Sequence, residues 1–365
     1  MNILFTGGGT LGSVTPLLAI AEELRSRMEV DKAGVPDILW IGTRKGIERK
    51  LIAEYGIPFM PIFSGKLRQY FDVRNFIDPL LLCIGIAQSF FAILRFQPDI
   101  IVGAGGYVSV PVLWAGWLLR KRAVLLQLDI VPSLSNLLTA FTASAILVAC
   151  EEEKRYFPAA RTYVVGIPIR KKIEERIHVL ERHGERLNAR GLFGIHDELP
   201  ILLVMGGGTG AVFINAAIKE CLPDFAEVCH IIHSTGKGKN GGDTVNSKYY
   251  HPFEFLTDDL ISAMSIADSV VTRAGMGSLA ELSYMGKACI VIPIPDSHQE
   301  QNALYVEKRQ AGLYYSQKTH SSSEFARKVK KLLSDKEMRE CYGRALHNAF
   351  FQDARKRAVD ILMSL

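Results

Sequence analysis

Residues 3–12 read ILFTGGGTLG and decide the fold of the chain. A strand-length apolar run ends in a turn of glycines, and an apolar helical pattern follows from Val14 to Leu24. Residues 202–210 read LLVMGGGTG and lead into a second such pattern, from Ala211 to Leu222. Each stretch predicts a strand, a glycine-rich turn and a helix, so we expect two Rossmann-like domains facing across a cleft.

Apolar runs of strand length alternate with helical patterns along the whole chain, which is typical of α/β architecture with parallel sheets. The charged stretch from Arg170 to His196 has no strand pattern, and we place the domain boundary just before it. The domains are then predicted at 1–167 and 168–344. The amphipathic segment from Arg344 to Leu365 predicts a terminal helix, whose residues 345–365 join the first domain. The predicted strands are Ile3–Phe5, Ile38–Ile41, Ile100–Val102, Ala123–Gln127, Ala145–Val148, Thr162–Val165, Ile201–Met205, Cys229–Ser234, Tyr249–Phe255, Ser269–Thr272 and Cys289–Ile292.

Composition excludes several classes of protein. The 365 residues are 48% hydrophobic and 22% charged, which rules out a disordered or fibrous chain. Six cysteines without a C-x-x-C pair rule out a disulfide scaffold or a zinc ribbon and fit a reducing compartment. The net charge of +5 does not indicate a nucleic-acid partner. The apolar stretch Pro79–Phe96 contains Gln88 and Ser89, so we expect a soluble or peripheral protein. The run Met1–Phe5 has no basic segment before it and enters a glycine turn at once, so no export signal is expected.

A glycine turn between a strand and a helix directs backbone N–H groups at an anion, so both opening turns predict phosphate binding. Tight strand–helix packing is the structural alternative. Gly7, Gly9 and Gly12 match the dinucleotide fingerprint, but the second strand ends at Arg44 without a carboxylate for a ribose. NAD is therefore disfavoured, and NADP is the weakest of the hypotheses. A third glycine turn, in the run Gly103–Pro111, predicts an anion or acceptor loop, with packing as its alternative.

The densest polar clusters lie in the second half of the chain. The run Arg273–Glu281 follows a predicted strand, and its glycines allow a diphosphate to approach a helix N-terminus closely. Glu281 is placed to accept two hydrogen bonds from a ribose diol, unless it only compensates the helix dipole. The segment Asp296–Asn302 offers amide side chains for sugar hydroxyls, or is simply a polar helix start.

Together these clusters resemble the family-28 glycosyltransferases of GT-B fold, in the right order over nearly the whole chain. The resemblance is closest to the branch that adds N-acetylglucosamine to lipid I, making lipid II, in peptidoglycan synthesis. It implies an inverting hexosyltransferase that needs no metal or cofactor and uses UDP-N-acetylglucosamine as donor. It also implies a polyprenyl-diphosphate acceptor on the first domain and a cytoplasmic enzyme peripheral to the inner membrane face. The sequence contains no Asp-x-Asp, which agrees with a metal-free diphosphate site.

The resemblance assigns site residues by position. Those that would bind the donor are Arg170, Gly207, Gly208, Thr209, Thr257, Arg273, Gly275, Met276, Gly277, Ser278, Leu279, Glu281, His298, Gln299 and Asn302. Those that would bind the acceptor or its phosphates are Gly9, Thr10, Leu11, Gly12, Gly105, Gly106, Tyr107 and Asn136.

The first domain departs from the family pattern. The family's opening turn reads Gly-Gly-Thr-Gly-Gly-His, whereas here the histidine is replaced by Ser13, and the family's His-Glu-Gln-Asn segment becomes Leu126–Asp129. Asp129 and Ser13 are the predicted catalytic positions, with Asp129 the expected base. Three explanations stay open: a base shifted to Asp129, a different lipid acceptor such as diacylglycerol, or a nucleotide-sugar-binding protein that has lost activity.

Basic residues beside apolar ones suggest contact with an anionic membrane surface. Lys66, Arg68 and Arg74 flank Phe71, Phe76 and Leu80–Leu82, and Arg120–Arg122 follows an apolar helix that contains Trp114 and Trp117. A buried helix with a solvated basic end is the alternative.

Overall fold

The computed structural model describes residues 1–30, 34–65, 78–180, 183–207, 211–239, 247–256 and 259–365. The chain divides into two compact units. Unit 1 comprises Met1–Lys171 and Asp353–Leu365, and unit 2 comprises Lys172–Gln352. The first boundary lies four residues after the predicted one, and the chain returns to unit 1 at residue 353 rather than 345.

Unit 1 is built on a parallel sheet with the order β3-β2-β1-β4-β5-β6-β7. The central strands are fully buried apolar runs, as expected where helices cover both faces of a parallel sheet. The order reverses between β1 and β4, which is the position where open α/β sheets bind ligands. The strands are β1 (Asn2–Thr6), β2 (Asp37–Thr43), β3 (Phe59–Ile62), β4 (Ile100–Gly103), β5 (Arg122–Gln127), β6 (Ala145–Val148) and β7 (Thr162–Val164).

The helices of unit 1 complete its core. Leu4, Ile101 and Leu125 of the sheet pack with Val112 and Ile93 from two helices, and all five are at most 1% exposed. The helices are α1 (Thr15–Val30), α2 (Glu48–Glu54), α3 (Asp78–Phe96), α4 (Ser109–Leu118), α5 (Leu134–Thr139) and α14 (Ala354–Ser364).

Unit 2 repeats the plan, with a parallel sheet in the order β10-β9-β8-β11-β12-β13. The order reverses between β8 and β11, the counterparts of β1 and β4. Two parallel-sheet, Rossmann-like units confirm the predicted fold class. The strands are β8 (Ile201–Met205), β9 (His230–Ser234), β10 (Tyr250–Phe253), β11 (Ser269–Thr272), β12 (Cys289–Val291) and β13 (Leu313–Tyr314).

The helices of unit 2 cover the apolar strands with side chains such as Ile214, Ile218 and Phe325, which are buried against Val204 and Ile290. The charged stretch after residue 170 forms two helices, and its described residues contain no strand, as predicted. The helices are α6 (Lys171–Leu180), α7 (His183–Leu192), α8 (Val212–Phe225), α9 (Leu260–Ile266), α10 (Met276–Tyr284), α11 (His298–Lys308), α12 (Ser322–Ser334) and α13 (Lys336–Ala349).

The prediction of one terminal helix from Arg344 to Leu365 is wrong. Helix α13 ends at Ala349, Phe350 is extended, and α14 begins at Ala354. The break is fixed by packing, because the Phe350 ring lies 5.7 Å from that of Tyr305 and is buried. The two helices belong to different units.

Helix α14 is attached to α1 by a buried ion pair. Arg355 Nε donates to Glu23 Oε2 at 3.0 Å, and Arg355 Nη1 donates to the Ile169 carbonyl at 3.1 Å. Burial alone raises the pKa of Glu23, but hydrogen bonds from Arg27 and Arg355 bring it below its ordinary value. Arg27 also pairs with Asp360 of α14. The last helix is thus bound to the first one and to the segment that leads into unit 2.

Helix α3 is long and apolar enough to cross a membrane, judged by length and composition alone. Only 22% of its most apolar window is buried. Leu80 and Phe91 of α3 are more than half exposed, as are Trp117 and Leu118 of α4. Unit 1 therefore presents an apolar surface on α3 and α4. The predicted basic and aromatic residues Lys66, Arg68, Phe71, Arg74 and Phe76 lie outside the described residues.

Candidate active site

The two glycine turns of unit 1 meet at the carboxyl edge of its sheet, where the strand order reverses. An ideal Cβ on Gly106 would lie 2.6 Å from the Gly8 carbonyl, and one on Gly9 would lie 3.3 Å from the Tyr107 ring. Gly106 and Gly9 also have φ values of +76° and +87°, which favour glycine. The turn after β1 and the turn after β4 therefore form one continuous backbone surface, which brings together the predicted acceptor residues.

The opening turn continues into a short 3-10 helix, Leu11–Ser13. Gly9, Thr10 and Gly12 are exposed, so their backbone is open to a ligand. The Ser13 hydroxyl donates to the Thr10 carbonyl at 3.2 Å. Ser13 therefore steadies the turn, and a hydroxyl that donates to a carbonyl is poorly suited to act as a base.

A network of buried amides lies beside these turns. Asn136 Nδ2 donates to Gln127 Oε1 at 2.5 Å, and Gln127 Nε2 donates to the Asp129 carbonyl at 2.5 Å. Asn136 Oδ1 is buried, has no hydrogen-bond partner among the described residues, and would lie 2.7 Å from an ideal Cβ on Gly105. The network fixes the backbone of Asp129. This residue is half-buried and lies two positions after the end of β5.

Glu153 is a buried acid behind this edge that sequence reasoning missed. It is fully buried and accepts hydrogen bonds from the backbone N–H groups of Ala149 and Cys150, both at 3.2 Å. Burial raises the pKa of Glu153 well above its ordinary value, and the charge of Asp129 adds to the rise. A capping-box spacing from Cys150 to Glu153 was the available signal.

The carboxyl edge of unit 2 carries the predicted donor residues. Gly206 and Gly207 follow β8, and Arg273–Gly275 follows its neighbour β11, at the point where the strand order reverses. Gly207 is exposed with a φ of +81°. Gly208, Thr209 and Thr257 lie outside the described residues.

Helix α10 begins at this edge, and none of the described residues covers the glycines at its N-terminus. Gly275 is its extended N-cap, and no atom of the described residues lies within 4 Å of an ideal Cβ on Gly275 or Gly277. Met276 and Leu279 point into the core, so only their backbone faces a ligand, whereas Ser278 is half-exposed. Glu281 is half-buried in the second turn of the helix. This arrangement suits a diphosphate at the helix N-terminus.

Two residues that were predicted to bind the sugar donor form hydrogen bonds with neighbouring loops of this edge. Arg273 Nη1 donates to the carbonyls of Ile292 and Pro293 and to Gln317 Oε1, all within 3.1 Å. Asn302 is fully buried, and its Nδ2 donates to the Ala274 carbonyl at 3.0 Å. In this structure Arg273 and Asn302 therefore position the loops at this edge of the sheet.

The segment after β12 presents polar groups in a fixed loop. Ser297 caps α11, accepting from Gln299 N–H at 3.2 Å, and Gln299 Oε1 accepts from Ile294 N–H at 3.2 Å. The amide oxygen of Gln299 is thus anchored by backbone, which orients its NH₂ group. His298 is exposed as the first residue of α11.

A buried histidine network holds a further loop at this edge and was not found from the sequence. His233 hydrogen-bonds Tyr250 at 2.9 Å and Asn215 at 3.1 Å, and Asn215 Nδ2 donates to the Thr235 carbonyl at 2.9 Å. Burial, aided by the charge of Lys219, lowers the pKa of His233 to about 4. The ring is neutral near pH 7 and fixes the loop after β9.

Arg170 belongs to unit 1, beside the boundary between the units. The Tyr55 hydroxyl is hydrogen-bonded to both Arg170 and Glu22.

Over the described residues, no group of three or more His, Cys, Asp and Glu side chains is placed to hold a metal ion.

Models of known protein families match parts of both units. Residues 3–148 match the glycosyltransferase family 28 N-terminal domain, and residues 201–358 match its C-terminal domain. A Bacillus cereus protein named UDP-N-acetylglucosamine–N-acetylmuramyl-(pentapeptide) pyrophosphoryl-undecaprenol N-acetylglucosamine transferase 2 is 35% identical over 293 residues, which are 80% of this chain and 79% of that protein.

Solved structures show the fold. The crystal structure of Acinetobacter baumannii MurG aligns with a TM-score of 0.77 at 22% identity, covering 100% of this chain and 99% of that one. A UDP-GlcNAc 2-epimerase from Neisseria meningitidis aligns with a TM-score of 0.74 at 12% identity, covering all of both chains. The GT-B fold therefore occurs with more than one chemistry. The two domain matches and the 35% identity show more than fold: the chain belongs to glycosyltransferase family 28.

Proposed function

We propose that this protein transfers N-acetylglucosamine from UDP-N-acetylglucosamine to lipid I, the diphosphate-linked acceptor named in its Bacillus cereus relative. The observation that carries the proposal is the pair of glycine-built sheet edges. Each unit has one at the reversal of strand order, and the chain is 35% identical to that transferase across both units. Unit 2 would bind the donor and unit 1 the acceptor.

The proposed chemistry is a direct displacement. The acceptor hydroxyl attacks the anomeric carbon, the bond from that carbon to UDP breaks, and the configuration inverts. The leaving diphosphate gains negative charge, which the N–H groups at the start of α10 are oriented to stabilise. Arg170 is the proposed cation for the donor phosphate. Asp129 is the proposed base that takes the hydroxyl proton.

Transfer of labelled N-acetylglucosamine tests the proposal directly. We expect product with lipid I and UDP-N-acetylglucosamine, formed without an added divalent metal. Diacylglycerol is the comparison acceptor, because Ser13, Gln127 and Asp129 replace residues of the family pattern. Transfer to diacylglycerol but not to lipid I would mean that the acceptor is a different lipid from the one proposed. Donor binding by calorimetry without any transfer would indicate a nucleotide-sugar-binding protein.

We also propose that unit 1 contacts an anionic membrane surface from the cytoplasmic side. The apolar surface on α3 and α4 supports this, as does the edge-on contact of the Trp117 and Phe141 rings at 5.5 Å, both residues being about half exposed. The basic segment Arg120–Arg122 directly follows α4, and Lys121 Nζ donates to Gln97 at 2.9 Å. An exposed apolar surface beside cations suits anionic lipid.

Neutralising Arg120, Lys121 and Arg122 to glutamine should weaken binding to phosphatidylglycerol vesicles by roughly 1 kcal/mol per charge. Vesicle sedimentation at low salt measures this. The matched control neutralises Lys330, Lys331 and Lys336 on unit 2, and it should bind like the parent. Equal binding by both triple variants would mean that the basic segment is only a solvated helix end.

A further inference from the structure

Glu48 is a fully buried carboxylate that connects two strand ends of unit 1. Its Oε1 accepts from the Thr43 N–H at 2.9 Å and from the Thr43 hydroxyl at 2.5 Å, at the end of β2. Its Oε2 accepts from the Gly9 N–H at 3.4 Å, in the turn after β1. Burying a carboxylate is costly unless it is hydrogen-bonded, so these contacts are what keep Glu48 in place.

Glycines make the space that Glu48 occupies. An ideal Cβ on Gly46 would lie 1.8 Å from Glu48 Oε2, and one on Gly8 would lie 2.4 Å from Glu48 Oε1. Any side chain at either position would displace the carboxylate. The Glu48 carboxylate therefore requires glycine at positions 8 and 46, in addition to any requirement of the turns themselves.

The turn that Glu48 holds is the one that the two acceptor loops share. Gly8 contacts Gly106 through its carbonyl, and Gly9 lies under the Tyr107 ring. Burial raises the pKa of Tyr107, and the Glu48 charge raises it further, which places the carboxylate close behind this surface. A change at Glu48 should therefore move both loops.

We propose that Glu48 is a positioning residue, which holds the Gly8–Gly9 turn in the shape that binds the acceptor's diphosphate. This inference rests on the proposed function. Glu48 does not touch the ligand, because it is completely buried behind the turn. Its charge is of the same sign as a diphosphate, so charge alone would weaken acceptor binding. Positioning and simple electrostatics thus predict opposite effects of removing the charge.

The test is Glu48→Gln, which keeps the shape of the side chain but replaces one acceptor oxygen with a donor. We expect kcat/KM for lipid I to fall roughly 10²-fold, as a misplaced binding surface can produce, with KM for UDP-N-acetylglucosamine within about twofold of the parent. The matched control is Asp99→Asn. Asp99 Oδ2 accepts from Asn2 N–H at 2.7 Å at the other end of β1, and its loss should leave both constants unchanged. An unchanged or raised kcat/KM for lipid I in Glu48→Gln would overturn the proposal.

A second variant and a second readout separate positioning from folding and from the proposed function. Gly46→Ala keeps the charge but displaces the carboxylate, so it should reproduce the loss. Hydrogen exchange of the peptide 6–13 should be several-fold faster in Glu48→Gln and Gly46→Ala than in the parent or Asp99→Asn. Equal exchange in all four proteins would overturn the positioning role. A parent that transfers no sugar to lipid overturns the proposed function, and the exchange result still decides whether Glu48 holds the turn.

Discussion

Replacing Asp129 with asparagine is expected to lower turnover with lipid I by at least roughly 10²-fold and to leave UDP binding intact. The acceptor hydroxyl must lose a proton as it attacks. Ser13 stands where the family has a histidine, and its hydroxyl donates a hydrogen bond to the Thr10 carbonyl. Asp129 follows β5 at the carboxyl edge of the sheet, with its backbone held by Gln127. Steady-state kinetics with lipid I and calorimetry with UDP measure the two quantities.

The same pair of measurements on Asp99→Asn provides the control, since that carboxylate lies at the amino end of the sheet. Loss of both turnover and UDP binding in Asp129→Asn would assign Asp129 a structural role. Full turnover would place the base elsewhere, and Ser13→His would then be the informative variant.

Glu281→Ala is expected to weaken UDP binding by about 1.5–3 kcal/mol, the range for hydrogen bonds to a charged group. That corresponds to a rise in Kd of about 10- to 150-fold. The proposed cause is the loss of two hydrogen bonds from the ribose diol to the carboxylate in the second turn of α10. Isothermal calorimetry with UDP measures the change.

A nucleotide lacking one hydroxyl tests the cause. The parent should bind 2′-deoxy-UDP more weakly than UDP, whereas Glu281→Ala should bind the two equally well. If the variant still discriminates between them as the parent does, Glu281 does not hold the ribose. This comparison also corrects for any general loosening of unit 2, because both nucleotides meet the same protein.

Most strands were predictable from sequence, including the edge strands β7 and β10, whereas the edge strands β3 and β13 were missed. The predicted run Ala145–Val148 is strand β6 without change, because a continuous apolar run buried on both faces has an unambiguous pattern. The four-residue run of β3 contains Pro61, which weakens its strand pattern and is tolerated because β3 is an edge strand. Strand β13 contains two residues, too few for any periodicity.

Sequence located the glycine turns of the site but not the buried groups behind them. A strand–glycine–helix pattern is local in sequence, so the turn at residues 7–12 could be predicted. The contact of Glu48 with Gly9 joins residues 39 apart in the chain, and no local pattern encodes it. Asn302 was predicted as a polar amide near the start of a helix. Its burial against Ala274 depends on packing between elements, which the local sequence does not encode. The sequence therefore did not determine the direction in which side chains such as Glu48 and Asn302 point.

The attachment of α14 to α1 has a consequence for the order in which the protein is made. Unit 1 contains residues from both parts of the chain, so its last helix emerges only after the 181 residues of unit 2, from 172 to 352. At synthesis rates of about 5–20 residues per second, that is a delay of roughly 10 to 35 s. During this interval Glu23 lacks Arg355, and the face of α1 that α14 covers is open to water. Unit 2 can therefore finish folding first, although its residues are made later than most of unit 1.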